Sequence, residues 1–243
     1  MTNLATIFRR EFAAVTTNPV ALSVVLAFVV LSAALTFHVG GFFERGQADL
    51  RPFFRFHPWL HLFFMPALGM RLWAEERRNG TLELLLTLPV PVVALVGGKF
   101  LAMWAVAGLT LVLTLAAPLS VGFLGTPDVG PMVTGYIGSW FLAGGFLAVT
   151  ACISALTRSQ VVAFVAAAAV CFLLLFTGSR LAGNLGAALG VELGQTATSL
   201  SALTHFDSLV EGHVTLHAAI FFGSLIAFAI YLNVALVRGM DGR

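Results

Sequence analysis

Two histidine pairs are the residues in this chain whose types and spacing most suggest chemistry. His57 and His61 are four residues apart, and so are His213 and His217. At that spacing two imidazoles share one face of a helix, as in a metal-binding pair. No cysteine or carboxylate completes either set at helical spacing. We therefore expect no metal site.

The other reactive side chains carry weaker signals. Asp207 and Glu211 lie one helical turn apart near His205 and could line an outer gate or bind a protein partner, although a solvated face is the simpler interpretation. Cys152 and Cys171 sit inside apolar runs without a CxxC spacing. We interpret both cysteines as small buried hydrophobic residues.

The loops that serve phosphate chemistry or serine catalysis are missing from the sequence. The only Gly-Lys pair, at Gly98, is followed by Phe100 and lacks the upstream glycine of a phosphate-binding loop. A rhomboid-like intramembrane protease would need a GxSG motif, for which Gly178 in Gly-Ser-Arg is a poor substitute. We therefore predict that the chain is not an enzyme and binds no cofactor itself.

A polar stretch in the N-terminal half is the strongest candidate for a functional site. It reads MRLWAEERRNGTLELLLTLPVP over residues 70–91. Four adjacent charged residues, 75–78, precede a break at Gly80, and Thr81 begins a short leucine-rich helix that ends before Pro89. Such a helix between two apolar segments is typical of one that lies at a membrane surface and meets a partner.

Composition indicates the class of protein that must position this stretch. The 243 residues are 59% hydrophobic and 10% charged, whereas a soluble domain carries roughly 25% charged residues. The sequence therefore predicts an all-α integral membrane protein. Its net charge of +2 is too small and too scattered to suggest a nucleic-acid partner.

The apolar segments predict a single transmembrane domain over residues 1–243. Pro66 predicts a kink in the second of six spans, and Lys99, near the start of the third, could extend back to the membrane surface. The six predicted spans cover about residues 20–41, 59–74, 97–124, 133–156, 161–177 and 216–237.

Amphipathic segments flank these spans. Residues 1–17 place apolar side chains at helical spacing opposite Arg9, Arg10 and Glu11, which predicts an interfacial helix. We expect it to be retained, because the following apolar run is too long for an ordinary signal peptide. Residues 178–215 are broken by glycine, and we expect an extracytoplasmic segment with short amphipathic helices. These helices are predicted because five apolar residues share one helical face, namely Leu200, Leu203, Phe206, Leu209 and Val210.

Charge distribution predicts the orientation. With six spans both termini share one side, and the positive-inside rule favours the side that carries more Lys and Arg. Placing the termini inside puts nine cations in the cytoplasm and leaves four outside, namely Arg45, Arg51, Arg55 and Arg180. The polar stretch at 70–91 is then cytoplasmic, and so is its partner.

Two motifs resemble one transporter family. EERRNGTLELLLTLPVP, at 75–91, is similar to the first cytoplasmic loop of type-2 ABC exporter permeases. HFDSLVEGHVTLHAAIFFGSLIAFAIYLNVALV, at 205–237, resembles the end of the subgroup that includes the gliding-motility and nitrous-oxide-reductase-maturation permeases. The interfacial helix, the six spans and the broken segment extend the resemblance over the whole chain.

The resemblance implies a permease subunit in the bacterial inner membrane. It implies a pair of permease chains, as a homodimer, with two separate ATP-binding subunits that hold ATP and Mg²⁺. The region at 75–91 would be the coupling helix, which sits in a cleft of the ATP-binding subunit, and Arg158 in the turn after the fourth span is a candidate second cytoplasmic contact. The coupling contact would be carried by Glu75, Glu76, Arg77, Gly80, Thr81, Leu82 and Glu83.

Two functions remain open at this point. The permease could export or flip a substrate, and the nearly uncharged spans favour an ATP-driven permease over an ion-coupled carrier. Alternatively, it could pass mechanical work to an extracytoplasmic protein without moving a substrate. The sequence does not identify the substrate.

Overall fold

The computed structural model of this chain describes residues 2–42, 49–87, 89–125, 128–177, 201–213 and 215–240. Within these ranges the chain is helical and contains no strand. The helices are α1 (Thr2–Thr16), α2 (Pro19–Ala34, continued by a π-helical turn Leu35–Val39), α3 (Arg51–Arg55), α4 (His57–Gly69), α5 (Arg71–Asn79), α6 (Thr81–Leu86), α7 (Val92–Leu113), α8 (Ala116–Leu124), α9 (Val129–Leu156), α10 (Gln160–Phe176), α11 (Ala202–Val210) and α12 (Leu216–Arg238).

Four helical segments of the described chain are long and apolar enough to cross a membrane. They are Pro19–Val39, Val92–Phe123, Val129–Leu156 and Leu216–Arg238. These correspond to the first, third, fourth and sixth predicted spans. The fifth prediction falls on the shorter apolar helix α10, and the second falls on α4 and α5. Six spans therefore stay a prediction.

Helix α9 lies at the centre of the molecule and packs against α4, α7, α10, α11 and α12. Its glycines allow these close approaches, as the sequence predicts. A Cβ placed on Gly135 would lie 2.7 Å from the Phe54 ring, and one on Gly138 would lie 3.0 Å from Leu209. Phe206 and Leu209 are thus buried in the protein, so the apolar face of α11 packs against α9. Leu200 lies outside the described residues.

Helices α7 and α9 share a reciprocal contact between two tryptophans. The indoles of Trp104 and Trp140 stack with centroids 4.3 Å apart. Trp104 Nε1 donates to the Trp140 carbonyl at 2.8 Å, and Trp140 Nε1 donates to the Trp104 carbonyl at 3.3 Å. Each indole also fills the space over a glycine of the other helix, Gly144 or Gly108. We call these four residues the tryptophan clasp.

The second predicted span is interrupted at Met70, one turn beyond Pro66. Ser154 of α9 donates its hydroxyl to the Met70 carbonyl at 2.8 Å and accepts from the amides of Trp73 and Ala74, each at 3.1 Å. One side chain from a neighbouring helix thus satisfies backbone groups that the break leaves open. It also fixes the start of α5 to α9.

The N-terminal helix α1 packs along the first turns of α7. A Cβ on Gly98 would lie 2.7 Å from Ile7, so α1 approaches the backbone of α7 closely. Val15 is buried, while Leu4, Arg9 and Arg10 remain exposed. The inner face of α1 therefore contacts protein, and Glu11 reaches Lys99 of α7 from that position.

Candidate functional site

The candidate site begins at the junction of α5 and α6. Gly80 adopts φ 70° and ψ 11°, a left-handed conformation that favours glycine, and its amide donates to the Glu76 carbonyl. A Cβ at this position would meet nothing within 4 Å. The glycine is therefore needed for its conformation, which ends α5 and lets α6 start in a new direction. This break lies where the sequence predicts it.

The short helix α6 has an inner and an outer face. Leu82 is buried, whereas Thr81, Glu83 and Leu84 point outward, and 68% of Leu84 is exposed. An exposed leucine flanked by polar residues supplies apolar contact area with a charge that can fix orientation. The outer face can therefore meet another protein.

An open cleft of about 500 Å³ lies beside the inner face of α6. It brings α6 together with the turn after α9 and the end of α12. Arg77 extends across it and donates a hydrogen bond to the Ala155 carbonyl. The cleft is lined by Arg77, Gly80, Leu82, Glu83, Leu86, Leu156, Arg158, Gly239 and Met240.

A buried charge cluster lies on the other side of α5. Lys99 of α7, only 3% exposed, places Nζ 2.7 Å from Glu76 Oε1 and 3.2 Å from Glu11 Oε1. Its Nζ also lies 5.4 Å from the centre of the Trp73 ring, within cation–π range. Lys99 therefore joins α1, α5 and α7. The side chain does not extend to the membrane surface as expected, because it is buried in these ion pairs.

The two carboxylates of this cluster have different electrostatic surroundings. Burial raises the pKa of Glu76 above its ordinary value, because the attraction of Lys99 only partly offsets the loss of water. Burial also acts to raise the pKa of Glu11, but Lys99 and Arg10 outweigh it and hold that pKa below the ordinary value. Glu11 is thus the better stabilised anion.

The structure divides the predicted coupling residues into three groups. Gly80, Thr81 and Glu83 are exposed, Glu75 and Arg77 are partly buried, and Glu76 and Leu82 point inward. Within the cleft, Arg158 joins the predicted residues Arg77, Gly80, Leu82 and Glu83.

Sequence reasoning missed three residues around this site. Leu84 is exposed, whereas Leu82, the leucine among the predicted contacts, is buried. Lys99 and Glu11 form the ion pairs that position α5. The sequence does contain a signal for these ion pairs, because a single lysine within an apolar run requires a buried anion or access to water.

The histidine pairs do not form metal centres in the described part of the chain, where no group of three or more His, Cys, Asp or Glu side chains is placed to hold an ion. His57 and His61 are fully buried on α4, with ring centres 5.7 Å apart, and His57 Nδ1 lies 2.7 Å from Ser139 Oγ. His213 precedes α12, which starts at Leu216, so this pair does not share a helical face.

The acidic pair of the predicted outer gate is solvent-exposed. Asp207 lies in α11, and its pKa is raised by loss of water and by the nearby Glu211, with Arg55 acting in the opposite direction. Both carboxylates are exposed, Asp207 on the helix and Glu211 just beyond it. The two side chains therefore lie on a solvated face.

Comparison with known proteins identifies the family. The sequence model of the ABC-2 family transporter proteins matches residues 5–240. No curated protein matches the chain significantly. The family comprises membrane subunits of transporters, which normally work with ATP-binding subunits in a lipid bilayer. The chain therefore belongs to the ABC-2 family and is a transmembrane permease of an ABC transporter.

Proposed function

We propose that this permease pairs with a second copy of itself and with two separate ATP-binding subunits to export or flip a substrate. ATP and Mg²⁺ belong to those subunits, and this chain binds no cofactor. The resemblance of residues 205–237 supports the gliding-motility and nitrous-oxide-reductase-maturation subgroup. With six spans, the nine-to-four distribution of cations supports both termini in the cytoplasm. The family resemblance supports a bacterial inner membrane.

The outer face of α6 carries the proposal. Leu84 and Glu83 are exposed on a short helix that stands apart from α5 after the left-handed Gly80. An ATP-binding subunit could cover Leu84 and pair with Glu83, while Arg158 in the adjacent cleft offers a second contact. In this assignment α6 is the coupling helix and the outward residues are the principal contacts.

The contacts of α5 supply a route for movement from α6 into the membrane domain. The Ser154 hydroxyl bonds the start of α5, and Arg77 near its end donates to the Ala155 carbonyl, so both ends of α5 are held to α9. Lys99 ties the same helix to α1 and α7. A displacement of α6 is thereby passed to the central helix.

Co-purification tests the coupling assignment. The double variant Glu83→Arg/Leu84→Ser reverses the exposed charge and removes the apolar contact without touching the inward-pointing Glu76 or Leu82. We expect wild-type permease isolated from its native membranes to carry an ATP-hydrolysing protein with a phosphate-binding loop, measured by ATPase activity and mass spectrometry. The double variant should lose most of that protein.

Glu211→Lys is the matched control, since it also reverses an exposed carboxylate but lies beyond α11 at the proposed outer side. It should retain the ATP-binding protein. Unchanged recovery with the double variant would contradict the role of α6. Absence of any such protein from the wild type would contradict the proposed assembly itself.

The alternative of mechanical work on an extracytoplasmic protein uses the same coupling helix. It differs at α11, where Asp207 and the exposed Glu211 offer an acidic surface to such a partner. Substrate export remains our principal proposal because the family consists of transporter proteins.

A further inference from the structure

A second cavity, of about 200 Å³, lies between α1, the start of α2 and the junction of α4 with α5. Its lining is polar at one end and apolar at the other. The polar end combines three carboxylates with two cations. The charged residues are Glu11, Glu75, Glu76, Arg71 and Lys99.

Two buried polar atoms at this end have no hydrogen-bond partner among the residues that the structure describes. They are Arg71 Nε, which donates, and Glu76 Oε2, which accepts. The other oxygen of Glu76 already receives the Lys99 ammonium at 2.7 Å. A buried polar atom without a partner is costly. Both atoms belong to residues that line the cavity, so a ligand that supplies an acceptor to Arg71 and a donor to Glu76 would be favoured.

The charges of the lining select the chemistry of that ligand. An anion alone would pair with Arg71 but would face three carboxylates. A cation alone would satisfy Glu75 and Glu76 and leave Arg71 Nε unpaired. A zwitterion with a negative group beside Arg71 and a hydrogen-donating positive group beside Glu76 satisfies both.

The apolar end indicates where the rest of the ligand lies. Val20, Ala21 and Val24 belong to the first residues of the first predicted span, and Leu68 belongs to α4. A molecule with its charged part near Arg71 can therefore extend an acyl chain along α2 into the bilayer.

We propose that this cavity binds the head group of a zwitterionic phospholipid, with the phosphate at Arg71 and a primary ammonium at Glu75 and Glu76. Phosphatidylethanolamine has this chemistry. The site is separate from the outer face of α6, and its occupation requires no ATP-binding subunit. In the proposed orientation the lipid belongs to the inner leaflet.

Lipid titration of the full-length chain in detergent, followed by native mass spectrometry, tests the site. The probes are phosphatidylethanolamine, phosphatidylcholine and phosphatidylglycerol with identical acyl chains. We expect phosphatidylethanolamine to bind about tenfold more tightly than the other two, a difference of about 1.4 kcal/mol. Phosphatidylcholine has no N–H to donate, and phosphatidylglycerol has no cation for the carboxylates. Equal binding of all three lipids would overturn the proposal.

Arg71→Gln should reduce the phosphatidylethanolamine affinity about tenfold. Arg78→Gln, which removes an exposed arginine from the same helix α5, should leave it unchanged. Equal effects of both variants, or none from Arg71→Gln, would contradict the assignment. The comparison of three lipids uses the wild type and decides the question even if Arg71→Gln does not fold.

Soluble glycerophosphoethanolamine distinguishes a bilayer lipid from a free head group. It lacks acyl chains, so at equal concentration it should not displace phosphatidylethanolamine. Equal competition would show that the apolar wall contributes nothing, and it would overturn the lipid part of the proposal. Loss of the ATP-binding partner in the α6 variant bears only on the coupling assignment and leaves these outcomes unaffected.

Discussion

Two clusters of buried polar side chains lie at opposite ends of the second predicted span, and they differ in what surrounds the polar groups. At the start of α4, His57 and His61 lie among aromatic rings, with Phe28 stacked on His61 at 5.1 Å. Near α5, the equally buried Lys99 meets two carboxylates. The histidines share one helix, whereas Lys99, Glu11 and Glu76 come from three.

This difference separates polar residues that fill space from polar residues that hold elements together. Among the described residues, no hydrogen-bond partner of good geometry meets His57 Nε2 or either ring nitrogen of His61. Aromatic packing therefore positions most of that cluster. Lys99 pairs with the carboxylates of other helices, so its removal leaves buried charge behind. Apolar substitution should therefore destabilise the Lys99 cluster strongly and the histidine cluster little.

The largest effect is expected from Lys99→Met. The variant leaves Glu11 and Glu76 facing each other without their shared cation, and breaking a buried pair costs about 3–5 kcal/mol. We therefore expect a sharp fall in the thermal midpoint of the purified variant, measured by size-exclusion chromatography after heating. Adding Glu76→Gln should restore part of the loss by removing one orphaned charge. A midpoint equal to wild type would show that the cluster does not hold α1 and α5 to α7.

A smaller effect should distinguish the two carboxylates. Replacing Glu11, whose pKa is lowered, by Gln should reduce the free energy of unfolding by about 1–3 kcal/mol. Glu76→Gln should reduce it less, because burial already disfavours the charged form of Glu76. The measurement is the thermal midpoint of each variant at pH 7. Equal or reversed losses would contradict the assigned asymmetry.

The same asymmetry sets opposite pH dependences. Between the ordinary pKa of 4.5 and its raised value, Glu76 binds more protons in the folded state, so mild acidification favours folding there. Glu11 contributes stability that is present above 4.5 and lost as pH falls through its lowered pKa. Relative to wild type, Glu76→Gln should lack the gain in stability on acidification above pH 4.5. Glu11→Gln should lack the loss of stability below pH 4.5.

The smallest effect is expected from His61→Phe. Phenylalanine keeps an aromatic ring against Phe28 and removes two nitrogens that have no hydrogen-bond partner among the described residues. The free energy of unfolding, followed through the thermal midpoint, should therefore change by less than about 1 kcal/mol in either direction. Transport by the assembled complex should persist. Loss of transport with an unchanged midpoint would assign His61 a role beyond packing.

Local features of the chain are readily predicted from sequence. Gly80 and Thr81 mark the break and the new helix, because glycine permits the left-handed conformation that ends α5. The glycines of α9 indicate close helix packing, and the structure places Phe54 and Leu209 against two of them. The apolar runs indicate helices, because burial and lipid contact both require them, but they do not show the break at Met70 that divides the second predicted span into α4 and α5.

The tertiary partners of these features are not predictable in the same way. Ser154 lies 84 residues from Met70 along the chain, and nothing in either local sequence indicates their hydrogen bond. Glu11, Glu76 and Lys99 meet only because the tertiary fold brings residues of α1, α5 and α7 together. The inward direction of Glu76 follows from that arrangement, which the coupling motif alone does not contain.

The tryptophan clasp restricts how α7 and α9 can move against each other. These helices run antiparallel at the clasp, and each indole lies over the glycine that follows the opposite tryptophan by four residues. A slip of one helical turn in one direction would place each indole over the opposite tryptophan instead of over a glycine. In the other direction it would place them against Val112 and Ala148, whose Cβ atoms occupy the space that glycine leaves open. The pair therefore resists sliding along the helix axes.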